Sequence, residues 1–307
     1  MELRSVRKKY GETVVRLAET NKNIVSLEAD LGKSTQSIMF EKAYPERFFE
    51  LGIAEANMIS FGAGMALCGK IPFMQSFAVF TTGRVYDQIR VSFCIPNLHG
   101  IILGGSTGLS DANDGSTHQS VEDIALMRVL PNMTVLCPAD AYEAEKMIEA
   151  AVELDGPVYI RTCRSDMVDV LPQDGYEFGK MQPIKNDGDI AIFACGTMVA
   201  PALEAAEMLK EDGIEARVIN VGMIKPLDTE TLFKIAGEVK GIVTVEDHSV
   251  IGGMGSAICE ALADTEHPRV KIMGVKDQFG CSAYTPDELY EHYGLTAKDI
   301  AATVKTF

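Results

Sequence analysis

The sequence predicts an α/β protein with two doubly wound domains, each built on a mostly parallel sheet. Two observations carry this prediction. Short runs rich in β-branched residues alternate along the whole chain with longer segments of helical period. The chain also has 307 residues, which is enough for about two domains of roughly 150 residues each.

The first half is predicted to contain one sheet, with helices between its strands. The apolar runs predict strands at Ile24–Leu27, Ile71–Met74, Gly100–Gly104, Thr134–Cys137 and Val158–Arg161. Asp140 and Glu143 have the spacing of a capping box, which predicts a helix over Ala141–Leu154.

The second half is predicted to contain a second sheet, with a helix after each strand. Its apolar runs predict strands at Ile190–Cys195, Ala216–Val221, Ile242–Glu246 and Val270–Val275. The run from Thr285 to Glu288 predicts a helix start, with Thr at the N-cap and Pro in the first turn. Ser165–Asp189 is rich in Pro, Gly, Asp and Gln, so we place the domains at 1–170 and 188–307 and a linker at 171–187.

The composition of the chain disfavours nucleic-acid-binding, membrane-bound and secreted proteins. The formal net charge is -16, and so acidic a surface repels nucleic acid and anionic membranes. The seven cysteines include no C-x-x-C pair, which fits a reducing compartment, so we expect a cytoplasmic protein. The N-terminus has no apolar signal region, and the most apolar window, Leu51–Cys68, carries Glu55, which disfavours a membrane helix.

Five polar, glycine-containing segments are candidates for a binding site. Ligands of open α/β sheets bind beyond the carboxyl ends of the strands, and four of these segments lie at or after a predicted strand, while the other opens a helix. They are EADLGKST (28–35), LGIAEANM (51–58), QSFAVFTTGR (75–84), GLSDANDGSTHQ (108–119) and IRTCR (160–164).

Several residues in these segments have two open interpretations. Glu55 begins an apolar, small-residue helix, so it is either a buried structural carboxylate or a functional one. Phe77 and Phe80 are either core residues or a wall for a flat heterocycle. The loop 108–119 is either solvated or a site for sugar hydroxyls, and Arg161 and Arg164 either form ion pairs or hold a phosphate.

Three kinds of site are not supported. The LGKST run (31–35) lacks the spacing of a nucleotide-binding P-loop, and GGMG (252–255) is not a dinucleotide fingerprint. No spacing is that of a metal site, so no metal ligand is predicted in this chain.

Taken together, the segments resemble the C-terminal half of transketolase, from the pyrimidine-binding domain through the C-terminal domain. The motifs that match in order and spacing are GIAEANM, SFAVFTTGRVYDQIR, DGSTHQSVEDIALMR, PNMTVLCPAD, KPLD and TVEDH. The resemblance implies that thiamine diphosphate binds here. Glu55 would bond to its aminopyrimidine and favour the tautomer that removes the thiazolium proton.

The resemblance also implies roles for other residues. Phe80, and with it Phe77, would stack on the aminopyrimidine, and Asp30 and Leu31 would lie near the thiazolium ring. It implies that Asp114 and His118 bind the donor hydroxyls and that His118 is also catalytic. It implies further that the sugar phosphate is bound by Arg7, Ser34 and Arg164.

Two departures from the family pattern concern substrate choice. The family often reads G-E-D-G where this chain has Ala112-Asn113-Asp114-Gly115, and a loop histidine of transketolases is replaced around Ser106. Glu246, Asp247 and His248 we interpret as a packing and hydrogen-bonding cluster rather than a catalytic one.

The metal-binding module of such enzymes, a G-D-G motif followed by Asn, is missing from the sequence. The charged diphosphate needs a divalent cation or several donors. We therefore expect a split transketolase, in which a separate N-terminal subunit binds the diphosphate with Mg2+ or Ca2+ and the assembly is a dimer of heterodimers. Its reaction would be ketol transfer between sugar phosphates in the pentose phosphate pathway.

Three other functions stay open. Two use the same cofactor: part of a 1-deoxyxylulose-5-phosphate synthase, and the β subunit of a 2-oxo-acid dehydrogenase. The third is a non-catalytic, transketolase-like binding protein. The DGSTHQ and IAEANM motifs favour transketolase over the first two, and retention of Glu55, Phe80, Asp114 and His118 argues against the third.

Overall fold

The computed structural model describes residues 3–307 and has the α/β fold that the sequence predicts. Its larger sheet has seven strands in the order β12-β6-β7-β5-β4-β2-β3, and all neighbours in it are parallel except β12 and β6. These strands are β2 (Ile24–Glu28), β3 (Phe48–Glu50), β4 (Ile71–Phe77), β5 (Gly100–Gly105), β6 (Thr134–Leu136), β7 (Pro157–Arg161) and β12 (Met223–Lys225).

The second sheet has five strands in the order β14-β13-β10-β11-β9, and only β9 is antiparallel to its neighbour. These strands are β9 (Gln182–Lys185), β10 (Ile190–Ala194), β11 (Ala216–Asn220), β13 (Gly241–Ser249) and β14 (Arg269–Val275). A small two-stranded sheet pairs β1 (Leu3–Arg4) with β8 (Met167–Val168).

Helices connect the strands, and two of them begin at the N-caps expected from the sequence. Asp140 accepts a hydrogen bond from the Glu143 N–H at the start of α8 (Ala141–Ala151), and Thr285 accepts one from the Glu288 N–H at the start of α12 (Pro286–Tyr293). The helices are α1 (Val6–Thr20), α2 (Gly32–Thr35), α3 (Ile38–Ala43), α4 (Glu55–Leu67), α5 (Ala78–Thr81), α6 (Tyr86–Ile89), α7 (Asp123–Arg128), α8 (Ala141–Ala151), α9 (Val199–Glu211), α10 (Thr229–Ala236), α11 (Met254–Leu262), α12 (Pro286–Tyr293) and α13 (Ala297–Val304).

The structure differs from the predicted elements in a few places. Helix α8 ends at Ala151 rather than Leu154, and β13 runs past Glu246 to Ser249. Strand β12, and not a helix, follows β11. The predicted linker 171–187 contains β9, which pairs with β11 at the edge of the second sheet. Because the segment between the predicted domains is part of the second sheet, the boundaries at 170 and 188 stay a prediction.

The two sheets share one core. A single cluster of buried apolar side chains runs from Phe93 beside the first sheet and Val135 within it to Phe193 and Ile242 in the second. Strand β12 strengthens this connection, because it comes from the second half of the chain and pairs antiparallel with β6 of the first sheet. The Lys225 ammonium at the end of β12 also donates to the Arg128 carbonyl at 3.0 Å.

Candidate functional site

The five candidate segments meet at one edge of the larger sheet. Strands β7, β5, β4, β2 and β3 are consecutive neighbours, and in register Glu28 lies beside Gln75, Phe77 beside Gly105 and Gly104 beside Arg161. The segments that follow these strands therefore start side by side at their carboxyl ends, as the rule for parallel sheets predicts.

Glu55 is held at the start of α4, the helix that follows β3. Its side chain is only 3% exposed, and its Oε1 accepts a hydrogen bond from Arg84 Nη1 at 2.8 Å. The carboxylate is thus buried beside a cation, which compensates the cost of removing it from water.

Three rings form an aromatic cluster next to this ion pair. The Phe77 and Phe80 rings lie 6.1 Å apart and nearly parallel, at 12°. The His118 ring meets both edge-on, at 6.1 Å from Phe77 and 5.5 Å from Phe80. The Arg84 guanidinium lies 4.2 Å from the centre of the Phe80 ring, so Glu55 and the rings form one continuous group.

Asp30 and Leu31 lie two and three residues beyond the end of β2. Asp30 has a left-handed backbone, with φ of 60°, and its N–H donates to Glu50 Oε1 at 3.0 Å. The same oxygen accepts from the Gly52 N–H at 2.8 Å. Glu50 therefore ties the loop that carries Asp30 to the turn that leads into Glu55.

A buried carboxylate, Glu28, orders the segment around α2, the short helix that carries Ser34. It accepts hydrogen bonds from the Thr35 hydroxyl at 2.6 Å and from the Ala29 N–H at 3.0 Å, and it also bonds the Ser37 hydroxyl. Burial raises the pKa of Glu28 to about 7.

Arg7, Ser34 and Arg164 come together at one side of the aromatic cluster. Arg7 Nη1 donates to the Ser34 carbonyl at 2.7 Å, and the Arg164 guanidinium lies 5.9 Å from the Phe77 ring centre. Burial and the nearby Arg164 lower the pKa of Arg7. Within the described part of the chain, Arg7 Nε and Arg164 Nη1 are buried without a hydrogen-bond partner. Two adjacent cations with spare donors are suited to an oxyanion.

The loop that carries Asp114 and His118 is held by the second half of the chain. The Gln119 amide donates to the carbonyls of Asp111 and Cys281, at 3.0 and 3.1 Å, and the Ala283 N–H donates to the Ala112 carbonyl at 2.9 Å. Asp114 itself is exposed. The loop is therefore anchored to the second half of the chain, while the Asp114 carboxylate faces solvent.

Arg161 is not a phosphate ligand, and that interpretation of the sequence is wrong. Its side chain is 2% exposed, its Nε donates to Asp123 at 2.9 Å, and its Nη2 donates to the Asp247 carbonyl at 3.1 Å. Burial acts to lower the pKa of Arg161, but Asp123 and Asp247 outweigh it and raise that pKa well above its usual value.

The cluster of Glu246, Asp247 and His248 makes structural hydrogen bonds. Glu246 accepts from the Met254 and Gly255 N–H groups at 2.6 and 2.8 Å, and so caps α11. His248 Nε2 accepts from the Ala125 N–H at 3.3 Å. These contacts agree with the packing interpretation.

Sequence reasoning missed two residues of the site. Arg84 lies inside the segment 75–84, and the only signal for its contact with Phe80 is that the two residues are four positions apart in the sequence. Asp111 is 5% exposed, one of its oxygens has no partner within residues 3–307, and burial raises its pKa.

Residues 3–307 contain no group of three or more His, Cys, Asp or Glu side chains placed to hold a metal ion. In the same range, all seven cysteines are free, and no helix has the length and apolar character needed to cross a membrane.

Comparisons with known proteins cover almost the whole chain. The family model for the transketolase pyrimidine-binding domain matches residues 3–168, and the model for the transketolase C-terminal domain matches residues 179–300. In fold, the chain superposes on a solved split-gene transketolase, an inactive β4 tetramer, with a TM-score of 0.91. That comparison has 46% identity and covers 99% of this chain and 98% of the other.

Three curated relatives cover nearly the whole of this chain. A protein of Methanocaldococcus jannaschii, provisionally named as a transketolase C-terminal section, is 41% identical over 98% of this chain and 95% of its own length. A 6-deoxy-6-sulfo-D-fructose transketolase subunit of Clostridium sp. is 40% identical over 96% and 92%. A 1-deoxy-D-xylulose-5-phosphate synthase of Caldanaerobacter subterraneus is 37% identical over 96% of this chain but only 47% of its own length.

Proposed function

The chain belongs to the transketolase family, and we propose that it is the C-terminal subunit of a split transketolase. It would bind the aminopyrimidine end of thiamine diphosphate and the sugar substrates. A separate N-terminal subunit would bind the diphosphate with Mg2+ or Ca2+. The main observation that supports the proposal is that a buried carboxylate, Glu55, lies next to a cluster of aromatic rings. We call this carboxylate and the rings of Phe80, Phe77 and His118 the contact group.

The residues of this contact group fit the ring end of the cofactor. A flat heterocycle can stack on Phe80 while a ring nitrogen bonds to the Glu55 carboxylate at its edge. When bound, the cofactor supplies a carbon nucleophile that cleaves the donor ketose and carries its two-carbon unit. Glu55 would hold the proton at the ring nitrogen, and burial of its side chain keeps that hydrogen bond away from competing water.

Substrate contacts would come from the loops after β5 and β7. His118 lies against both phenylalanine rings, so its imidazole would reach the reacting end of the donor sugar and exchange a proton with a hydroxyl. The exposed Asp114 carboxylate would accept hydrogen bonds from further hydroxyls. Asp30 and Leu31 would border the thiazolium ring from the end of β2.

The far end of the substrate would carry a phosphate. The spare donors of Arg7 and Arg164, together with Ser34, support this assignment because a dianion would pair both cations. The phosphate would thus sit near Phe77, the ring that Arg164 approaches, whereas the pair of Arg84 and Glu55 lies at Phe80.

The dependence on a partner is supported by the relatives. One of them is a C-terminal section, a second is a subunit, and the split-gene protein of similar fold is inactive as a β4 tetramer. We propose that this chain likewise needs its N-terminal subunit for activity, in a dimer of heterodimers in the cytoplasm, with a role in the pentose phosphate pathway.

A second candidate function is part of a 1-deoxyxylulose-5-phosphate synthase. The 37% identical synthase supports it, but the chain spans about half of that protein's length, whereas it spans 95% of the C-terminal section from Methanocaldococcus jannaschii. Nothing in the described site favours a 2-oxo-acid dehydrogenase β subunit or a non-catalytic binding protein.

The test is reconstitution of this chain with its N-terminal subunit, in the presence of thiamine diphosphate and Mg2+. We expect the complex to convert xylulose 5-phosphate with ribose 5-phosphate, and each subunit alone to be inactive. Turnover of pyruvate with glyceraldehyde 3-phosphate alone would favour the synthase. Tight cofactor binding and ketose cleavage by this chain without a partner would overturn the proposal.

A further inference from the structure

One side chain, Arg84, contacts both residues assigned to the aminopyrimidine. Its Nη1 lies 2.8 Å from Glu55 Oε1, and its guanidinium carbon lies 4.2 Å from the centre of the Phe80 ring. The same cation therefore satisfies the buried carboxylate and covers an aromatic face.

A guanidinium group can make both of these contacts at once because of its shape and its donors. It is planar, it has N–H donors at its edge, and its flat face stacks on aromatic rings. A bound aminopyrimidine has the same features: a flat face for Phe80 and a nitrogen edge for Glu55. Both groups thus make the same two contacts with Glu55 and Phe80.

We propose that Arg84 competes with the aminopyrimidine of thiamine diphosphate and so sets the affinity of the cofactor. This inference rests on the proposed function. On binding, the guanidinium leaves Glu55 and Phe80, and the aminopyrimidine takes both contacts. The Glu55 carboxylate is paired before and after the exchange, which matters because a buried carboxylate without a partner is costly.

The position of Arg84 allows such a movement. Its side chain is 47% exposed, whereas that of Glu55 is 3% exposed, and it follows the exposed Gly83 in the turn between α5 and α6. A long side chain at this place reaches bulk water by rotation about its own bonds, without any movement of the sheet. Glu55, in contrast, stays in place at the start of α4.

An alternative role for Arg84 predicts the opposite result. If Arg84 stayed on Glu55 in the loaded complex, it would orient the carboxylate, and its removal would weaken cofactor binding. Competition instead predicts that its removal strengthens binding. The sign of the change in affinity separates the two roles.

The experiment is isothermal titration of thiamine diphosphate, with Mg2+ present, into the complex of this chain with its N-terminal subunit. We expect Arg84→Met to lower the Kd about tenfold, because binding no longer has to break an ion pair and a cation–π contact. Stopped-flow measurement should show faster association. Arg84→Gln is the second variant and should change the Kd in the same direction.

The matched control is Arg16→Met, which removes an arginine that pairs with Glu145 and Glu149 outside the site. This variant should bind the cofactor like the wild type. An unchanged or raised Kd in both Arg84 variants, with wild-type binding intact, would overturn the competition and leave the proposed function standing. Failure of the wild-type complex to bind the cofactor would overturn both.

Discussion

Arg161 of the larger sheet and Asp247 of the second sheet form a fully buried ion pair between the two halves of the chain. Their side chains are 2% and 0% exposed, and Arg161 also donates to Asp123, which accepts from the Tyr159 hydroxyl at 2.8 Å. A buried cation between two carboxylates fixes how the sheets pack, because any shift would leave a charge unpaired in the core.

Removal of this pair should destabilise the whole chain. We expect Asp247→Ala to lower the free energy of unfolding by about 1.5–3 kcal/mol, because Arg161 would lose its charge-assisted hydrogen bond to the Asp247 carboxylate while it keeps Asp123 as a partner. Urea denaturation followed by circular dichroism measures this. The control is Asp189→Ala, which breaks an exposed pair with Lys240 and should leave the unfolding midpoint almost unchanged. Equal stability of the two variants would contradict the role given to the buried pair.

Glu55 should be essential for ketol transfer. In the reconstituted complex we expect Glu55→Ala and Glu55→Gln to lower kcat by at least about 10²-fold, the usual contribution of a positioned acid or base. Steady-state assays with xylulose 5-phosphate and ribose 5-phosphate measure this. Glu12→Gln, on the outer surface of α1, is the control and should keep full activity. Wild-type turnover by both Glu55 variants would rule out the catalytic assignment.

Arg164 should matter for phosphorylated substrates only. We expect Arg164→Met to raise the KM of a phosphorylated aldehyde acceptor by about 10- to 100-fold, which corresponds to one lost charge-assisted hydrogen bond. The KM of an unphosphorylated aldehyde should hardly change. If both acceptors lost affinity equally, Arg164 would act on the loop as a whole rather than on a phosphate.

Glu143 should make stability depend on pH. Burial raises its pKa to about 8 from a usual 4.5, although it accepts hydrogen bonds from the Ala139 N–H and the Asn220 amide. Because the pKa of this carboxyl is higher in the folded state, the folded protein binds the proton more tightly than the unfolded chain does. The contribution of Glu143 to the free energy of unfolding is therefore complete below pH 4.5 and is lost as the pH rises through 8. We expect the free energy of unfolding to fall over this range, by up to about 1.4 kcal/mol per pH unit.

The variant that checks this prediction is Glu143→Gln, whose side chain does not titrate. It should flatten the fall in stability between about pH 7 and pH 8, while Glu28, with a pKa of about 7, still contributes below that range. Glu153→Gln, at an exposed position two residues beyond the end of α8, the helix that carries Glu143, is the control and should keep the wild-type slope. An identical slope in the two variants would show that Glu143 does not carry the effect.

The central strands could be predicted from the sequence because they are buried on both faces and therefore read as continuous apolar runs. Strands such as β5 and β10 lie within one residue of their predicted bounds. The short strands β1, β3, β8, β9 and β12 could not be predicted in this way. They have two to four residues, several of them polar, and their pairing is decided by distant parts of the chain.

The candidate site was predictable in outline and less so in detail. Sequence order could bring the five segments to one sheet edge, since the carboxyl ends of parallel strands always share an edge. Sequence order could not show that Arg161 is a buried structural residue while Arg164, three residues later, lies at the site. The partner that distinguishes Arg161 is Asp247, which comes from the second sheet. Nor could sequence order give Arg84 a partner, because the direction of a side chain in a turn depends on the surrounding fold.

The crossing of β12 into the first sheet has a consequence for dissecting this protein. A fragment ending near residue 170 would lose the strand that covers the edge of β6, and it would expose the apolar surface that the second half now covers. Bare strand edges and apolar surfaces promote aggregation. The two halves should therefore unfold as one cooperative unit, and neither should be obtained as a well-behaved fragment by cleavage in the linker.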